Sequence, residues 1–249
     1  MHKQVVISGA GSGIGRAIAL RLAAEGYRLI LLGRRPEPLH TTLGMLVGDG
    51  HRCFSVDVRD AAALSNAAAA LSGEKVYAIL ANAGLGGENH YGPGDRWSEI
   101  IETNLSGTYH TVQAFLPFLE RDAQRPGQVL LTSSVLARLG VQGYTAYCAS
   151  KAGLLGLMRS WAVELAPGVL VNAICPGWVR TDMSREGMEG IASRIGVSTD
   201  EFHDIAMQDV PTGRMSEPEE IAELCVYLLA QRSITGQAID INGGSVMNS

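Results

Sequence analysis

Short apolar runs alternate with longer amphipathic stretches along this chain. The apolar runs predict strands at Gln4–Ser8, Leu29–Gly33, Cys53–Val56, Val76–Ala81, Gln128–Ser133, Leu170–Cys175 and Ala238–Ile241. Most of them carry apolar residues on both alternating sets of positions. That pattern marks parallel strands covered on both faces, because a half-exposed strand alternates apolar with polar. Between the strands, apolar residues recur at helical spacing, and helices are predicted to begin near Gly13, Pro36, Asp60, Trp97, Thr145 and Glu217. For the last helix Ser216 is the expected N-cap, with Pro218 in the first turn. Glu219 and Glu220 stand there too, where the helix dipole favours negative charge. The repeated strand–helix–strand units imply an α/β fold of one domain, a doubly wound parallel sheet with helices on both faces. No linker divides residues 1–249. One stretch breaks the alternation. Residues 182–213 are expected to form a loop over the substrate, since long connections inside compact domains are usually functional.

Composition narrows the class. Of 249 residues 46% are hydrophobic and 18% charged, enough for a large core and unlike a disordered chain. The net charge of −5 argues against a nucleic-acid partner, which clustered Lys and Arg would serve. No run approaches the roughly 20 apolar residues of a membrane span. The apolar run after Met1-His2-Lys3-Gln4 is too short for a signal peptide. A cytoplasmic protein with no membrane partner is expected. Cys53, Cys148, Cys175 and Cys225 are widely spaced, as free thiols are, and the six histidines show no metal-ligand spacing.

The first strand runs into Ser8-Gly9-Ala10-Gly11-Ser12-Gly13-Ile14-Gly15, and a helical pattern follows at once. Glycines there let the backbone turn tightly against a pyrophosphate, while the helix N-terminus offers N–H groups and partial positive charge. The spacing is G-x-x-x-G-x-G at Gly9, Gly13 and Gly15 rather than G-x-G-x-x-G. This is a Rossmann-type signal for a dinucleotide. NAD-binding folds place a carboxylate at the end of the second strand, about 20 residues past the glycines, for the ribose 2′-hydroxyl. Here Arg34 and Arg35 stand instead. Two guanidiniums suit a 2′-phosphate and favour NADP(H), with NAD(H) still possible. The same two residues also stand where a solvated helix would begin.

Tyr147-Cys148-Ala149-Ser150-Lys151 opens an Ala- and Leu-rich helix. Positions i and i+4 share a face, so the phenol and the ammonium are neighbours. The ammonium is expected to lower the phenol's pKa, making Tyr147 a proton donor to a carbonyl oxygen as hydride reaches its carbon. Tyr144 has Cys148 four residues on and no equivalent lysine. Ser133 and Ser134 close the fifth strand at its carboxyl end, where open α/β sheets bind ligands. Either hydroxyl can hold a substrate oxygen or cap the next segment.

Taken in order, these motifs resemble the short-chain dehydrogenase/reductase family over essentially the whole chain. Ser8–Gly15 is similar to that family's Thr-Gly-x-x-x-Gly-x-Gly turn. The resemblance implies adenine contacts at Asp57 and Val58, and a cofactor-lining turn at Asn82-Ala83-Gly84, where Ala81 replaces an asparagine. It implies that Asn104 holds a water in a proton relay. Ser134, thirteen residues before Tyr147, is the implied catalytic serine, and Lys151 the lysine that activates Tyr147 and holds the nicotinamide ribose. Further cofactor contacts are implied at Ser12, Ile14, Pro176, Gly177, Val179 and Thr181, and Arg34 falls where NADP(H)-preferring members carry a basic residue.

The expected activity is hydride transfer between NADP(H) and a carbonyl or alcohol, foremost as a ketone or aldehyde reductase. An alcohol, sugar or cis-diol dehydrogenase uses the same residues in reverse. A non-catalytic dinucleotide sensor would not need the set Asn104, Ser134, Tyr147 and Lys151. Met183, Met188, Ile191, Ile195 and Met207 are expected in the substrate lid, with Trp178, Tyr144 and Leu85 along the pocket. The resemblance also implies a homo-oligomer, a tetramer or dimer packed through the helices around Asn104 and Tyr147.

Overall fold

The computed structural model describes residues 3–247. Seven strands form one parallel sheet in the order β3-β2-β1-β4-β5-β6-β7. They are β1 (Gln4–Ser8), β2 (Arg28–Gly33), β3 (Arg52–Ser55), β4 (Ala78–Ala81), β5 (Gly127–Thr132), β6 (Val169–Pro176) and β7 (Ala238–Ile241). Each lies within a residue or two of its predicted place. The helices are α1 (Gly13–Ala24), α2 (Pro36–Met45), α3 (Ala61–Ala69), α4 (Trp97–Ile101), α5 (Gly107–Phe115), α6 (Thr145–Leu165), α7 (Asp182–Ile195), α8 (Thr199–Gln208) and α9 (Pro218–Ala230).

The pleat divides the apolar residues between two cores. Val6, Ile30, Leu32, Ile79, Val129 and Val171 point to one face and meet Leu64 of α3, Phe115 of α5 and Leu154 of α6. Val5, Ile7, Leu29, Leu31, Leu80 and Ile174 point to the other and meet Ile18 of α1, Leu39 of α2 and Ile221 of α9. Strand order reverses between β1 and β4, which opens a crevice at their carboxyl ends.

Two expectations are corrected. The segment 182–213 is helical over most of its length. Thr181 caps α7 by accepting from Ser184 N at 3.3 Å, and Gly196 closes it at φ +77°, a left-handed turn that suits glycine. Ser198 then starts α8 in a capping box with Glu201. These start and stop signals are local, but no strand follows them to mark another strand–helix unit. At the head of α9, Glu217 is the N-cap and Ser216 is not. The Ser216 backbone is committed to a parallel bridge, donating to Trp178 O and accepting from Arg180 N, each at 2.9 Å. The Glu217 N–H instead donates to Glu220 Oε2 at 2.8 Å.

Among the described residues no helix is long and apolar enough to cross a membrane. Phe115 is fully buried between α3, the sheet and α6. Replacing it with alanine is expected to cost about 3–5 kcal/mol, read from the shift in the urea unfolding midpoint.

Candidate active site

The crevice begins at the glycine turn. Gly9 adopts φ +69°, and a Cβ there would stand 2.8 Å from the Ala83 backbone. A Cβ on Gly15 would land on the Gly9 carbonyl oxygen and 2.7 Å from Asn82 Nδ2. Gly15 is therefore buried behind the turn and does not line the crevice. It lets α1 seat directly on the turn. Ser8 Oγ ties the turn to the neighbouring strand, accepting from Asn82 N at 3.0 Å and Ala83 N at 3.1 Å. Asn82 reaches onward, accepting from Thr132 Oγ1 at 3.2 Å.

One cleft, continuous through Gly9, Ser12, Ala83 and Gly84, runs along the carboxyl ends of the strands. Its outer half is walled by Arg34, Arg35, Asp57, Val58 and Thr103. Its inner half is walled by Gly13, Ile14 and Asn82, by Ser134, Tyr147 and Lys151, and by Pro176, Gly177, Val179 and Thr181. Sequence reasoning missed Thr103, whose place depends on how the chain after β4 folds back. The Thr103 hydroxyl is buried without a hydrogen-bond partner.

The donor set fits a dinucleotide. The α1 N-terminus has no side-chain cap and no acidic residue in its first turn, so its N–H groups are free for phosphate. Arg34 and Arg35 are exposed at the rim, and neither is in an ion pair among the described residues. Asp57 is clamped by Arg59, whose NH2 lies 2.7 Å from Oδ2, and this partner holds the carboxyl below its ordinary range. Val58 packs on the start of α5, where a Cβ on Gly107 would stand 2.5 Å from it.

At the inner end three chain segments converge on Asn104. It lies in a π-helical turn, Glu102–Ser106, that joins α4 to α5, and such turns recur at functional sites. Its side chain is fully engaged. Oδ1 accepts from Leu85 N at 2.7 Å, and Nδ2 donates to Leu85 O at 2.9 Å and Ser150 Oγ at 3.1 Å. The amide thus fastens the turn after β4 to α6, and it faces no cleft. Gly153 permits this approach, because a Cβ there would press to 3.0 Å on the Leu105 side chain.

Of the two candidate serines, Ser133 is structural. Its hydroxyl donates to Lys151 O at 2.8 Å and buttresses α6. Ser134 faces Tyr147 across the cleft, and its Oγ accepts from Leu136 N at 3.1 Å. Lys151 is 4% exposed, its Nζ donating to Thr132 O at 2.9 Å. That nitrogen lies 5.5 Å from the centre of the Tyr147 ring.

The electrostatics correct a further expectation. Burial raises the Tyr147 phenol above its ordinary pKa, and the Ser134 hydroxyl draws it only partly back. Burial also lowers Lys151 to about 8, so desolvation is the largest influence on both groups.

A separate cavity opens from Ser134 and Tyr147 beneath α7 and α8. Met183, Ile191, Trp178 and Tyr144 line it as expected. Leu85 belongs to the cofactor cleft instead. Met188 and Met207 face inward, packing with Met215, Trp178 and Phe202 to hold the two helices down. Ile195 is half exposed.

Comparison with known proteins agrees with this geometry. A family model described as enoyl-(acyl carrier protein) reductase matches residues 9–246. The oxidoreductase UcpA of Escherichia coli is 37% identical over 98% of this chain and 95% of its own. The 3-oxoacyl-[acyl-carrier-protein] reductase FabG of Aggregatibacter actinomycetemcomitans is 32% identical over 98% and 99%. The crystal structure of a single-substitution variant of actinorhodin polyketide ketoreductase with NADPH is 32% identical and superposes with a TM-score of 0.90, covering 98% of this chain and 97% of that one. The chain belongs to the short-chain dehydrogenase/reductase family and is an oxidoreductase.

The buried ammonium carries a stability signature. With Lys151 at about 8 when folded against 10.5 ordinarily, the unfolded chain binds more protons between those values, so stability rises with pH across that window. Below about 8 the cost of the buried charge is present in full. Lys151→Met is therefore expected to be the more stable protein at pH 7. The shift alone contributes about 3 kcal/mol, reduced by ~1 kcal/mol for the lost Thr132 hydrogen bond. Urea unfolding at pH 7 and pH 10 checks this, because the advantage should shrink at the higher pH.

Proposed function

We propose that the protein is an NADP(H)-dependent ketone reductase. The observation that carries this reading is one cleft with Arg34 and Arg35 at its outer end and Ser134, Tyr147 and Lys151 at its inner end. The relatives support it, since they include a 3-oxoacyl-[acyl-carrier-protein] reductase and a polyketide ketoreductase crystallised with NADPH.

When bound, NADPH supplies the hydride that reduces the carbonyl carbon. The chain's own residues do the rest. Arg34 and Arg35 receive the 2′-phosphate, and the free N–H groups of α1 receive the pyrophosphate. Ser134 and Tyr147 hold the carbonyl oxygen in place, and Tyr147 gives it a proton as negative charge develops there. A phenol held above its ordinary pKa is reliably protonated, as a donor must be. Lys151 hydrogen-bonds the nicotinamide ribose and steadies the phenolate left behind. Asn104 acts as a positioning residue by locking α6 to the turn after β4, and its π-helical turn is the place for a relay water. Helices α7 and α8 form the substrate cap of a single-domain enzyme.

The protein works in the cytoplasm as a homotetramer. The exposed Tyr109 of α5, stacked on Trp161 of α6 with ring centres 6.0 Å apart, and the exposed Val163 support an interface along those helices.

Tyr147→Phe is expected to lower kcat for NADPH-dependent reduction of a 3-oxoester by about 10²–10⁴-fold with unchanged NADPH affinity. Turnover of an enoyl ester but not of the 3-oxoester would refute the reading. Arg34→Ala should weaken NADPH binding by about tenfold or more and leave NADH binding as it was, measured by fluorescence titration.

A further inference from the structure

The cavity beneath the cap contains a polar group that proton transfer does not use. Tyr144 precedes α6 by one residue and is 6% exposed. Its hydroxyl is buried and finds no hydrogen-bond partner among the described residues. Leaving a buried hydroxyl unpaired costs free energy that a phenylalanine would avoid, so packing alone does not account for this oxygen. The hydroxyl points toward α7 at Gly187, where a Cβ would lie 3.6 Å from it. Glycine inside a helix weakens the helix. At this position a side chain would rest in van der Waals contact with the phenol oxygen.

Both residues line the same cavity as Ser134 and Tyr147. The rings of Tyr144 and Tyr147 meet edge to face with centres 6.4 Å apart. A ligand whose reacting oxygen lies at Tyr147 therefore extends past Tyr144.

Charge selects what that ligand presents. Glu88 and Arg194 pair at 2.8 Å beside the phenol, so neither is free to neutralise an ionic ligand. Burial first, and the Glu88 carboxylate second, push the Tyr144 hydroxyl up to about 12, with Arg194 opposing. It stays protonated at working pH, a donor in need of an acceptor. The paired charges of Glu88 and Arg194 offset each other, and a protonated phenol matches a neutral carbonyl oxygen, which needs no counter-ion.

We propose that Tyr144 anchors the substrate by donating a hydrogen bond to a second, neutral carbonyl oxygen, so that the site is built for dicarbonyl compounds. The proposal rests on the ketone-reductase reading. Helix α7 stands over the hydroxyl.

The test compares ethyl 3-oxobutanoate with 2-octanone, a ketone of similar length without the second carbonyl, in the native protein, Tyr144→Phe and Gly187→Ala. Tyr144→Phe should lose about 10–100-fold in kcat/KM on the oxoester, mostly through KM, and no more than about twofold on 2-octanone. Its thermal midpoint should be unchanged or higher, since an unpaired buried hydroxyl is gone. Gly187→Ala should show the same selective loss with a firmer α7. An equal loss on both substrates, or none on either, overturns the proposal. A second arm measures binding of the oxoester to the NADP⁺-loaded protein through the fluorescence of Trp178, which lines the cavity. About tenfold weaker binding by Tyr144→Phe is expected, and equal binding, or none by the native protein, overturns the anchor. Binding without turnover in the native protein would sink the reductase reading and leave the anchor standing.

Discussion

A lysine ammonium held in the protein interior is the constraint on which the rest of the site depends. Lys151 has given up bulk water for the single carbonyl of Thr132 among the described residues, and its lowered pKa records the cost. An ammonium placed so tolerates little displacement, because a small shift removes its partner without restoring solvent. Each neighbouring contact limits that shift. Ser133 ties to the Lys151 carbonyl, and Asn104 ties to Ser150 and to both polar groups of Leu85. A side chain on Gly84 would come within 3.4 Å of Nζ and 3.2 Å of Asn104 Oδ1, so this glycine keeps the lysine's route to the cleft open. Helix α6 is positioned by polar contacts at its catalytic end and by apolar packing of Leu154, Met158 and Trp161 beyond it.

The two halves of the cleft follow different physics. The outer half is electrostatic, with the exposed guanidiniums of Arg34 and Arg35 facing solvent. The inner half is desolvated, and burial is the largest influence on both Tyr147 and Lys151 there. The phenol's acidity in the protein alone is therefore opposite to what helical spacing suggests. The cap is a third environment, a small apolar cluster of its own around Met188, Met207 and Met215. It is pinned at one corner by the Glu88–Arg194 pair and holds an unpaired phenol at its floor.

Much of this was legible in the chain, for definite reasons. Strand positions followed from apolar runs, since residues with helices on both sides must be apolar on both sides. The glycine turn was legible because backbone contacts as close as those at Gly9 exclude any side chain. Tyr147 and Lys151 were legible because one helical turn fixes their relation, and Ser134 through its place in a known order of motifs. Spacing did not reveal that Gly15 packs behind the turn, that Ser133 buttresses α6, or that Ser216 is consumed by a bridge. Each of these depends on segments distant in sequence.

The sequence by itself determined what is local and periodic: the alternation that makes a doubly wound sheet, the turn that fits a pyrophosphate, and the residues able to move a proton. Only the tertiary structure decided which hydroxyls and amides face the cleft, how far burial shifts the phenol and the ammonium, and that Tyr144 reaches the substrate cavity with its hydrogen bond unspent. The reason is physical. Propensity and periodicity act over a few residues, whereas desolvation and hydrogen-bond partnership depend on whatever surrounds a group in space, and here those surroundings come from segments far apart in the sequence.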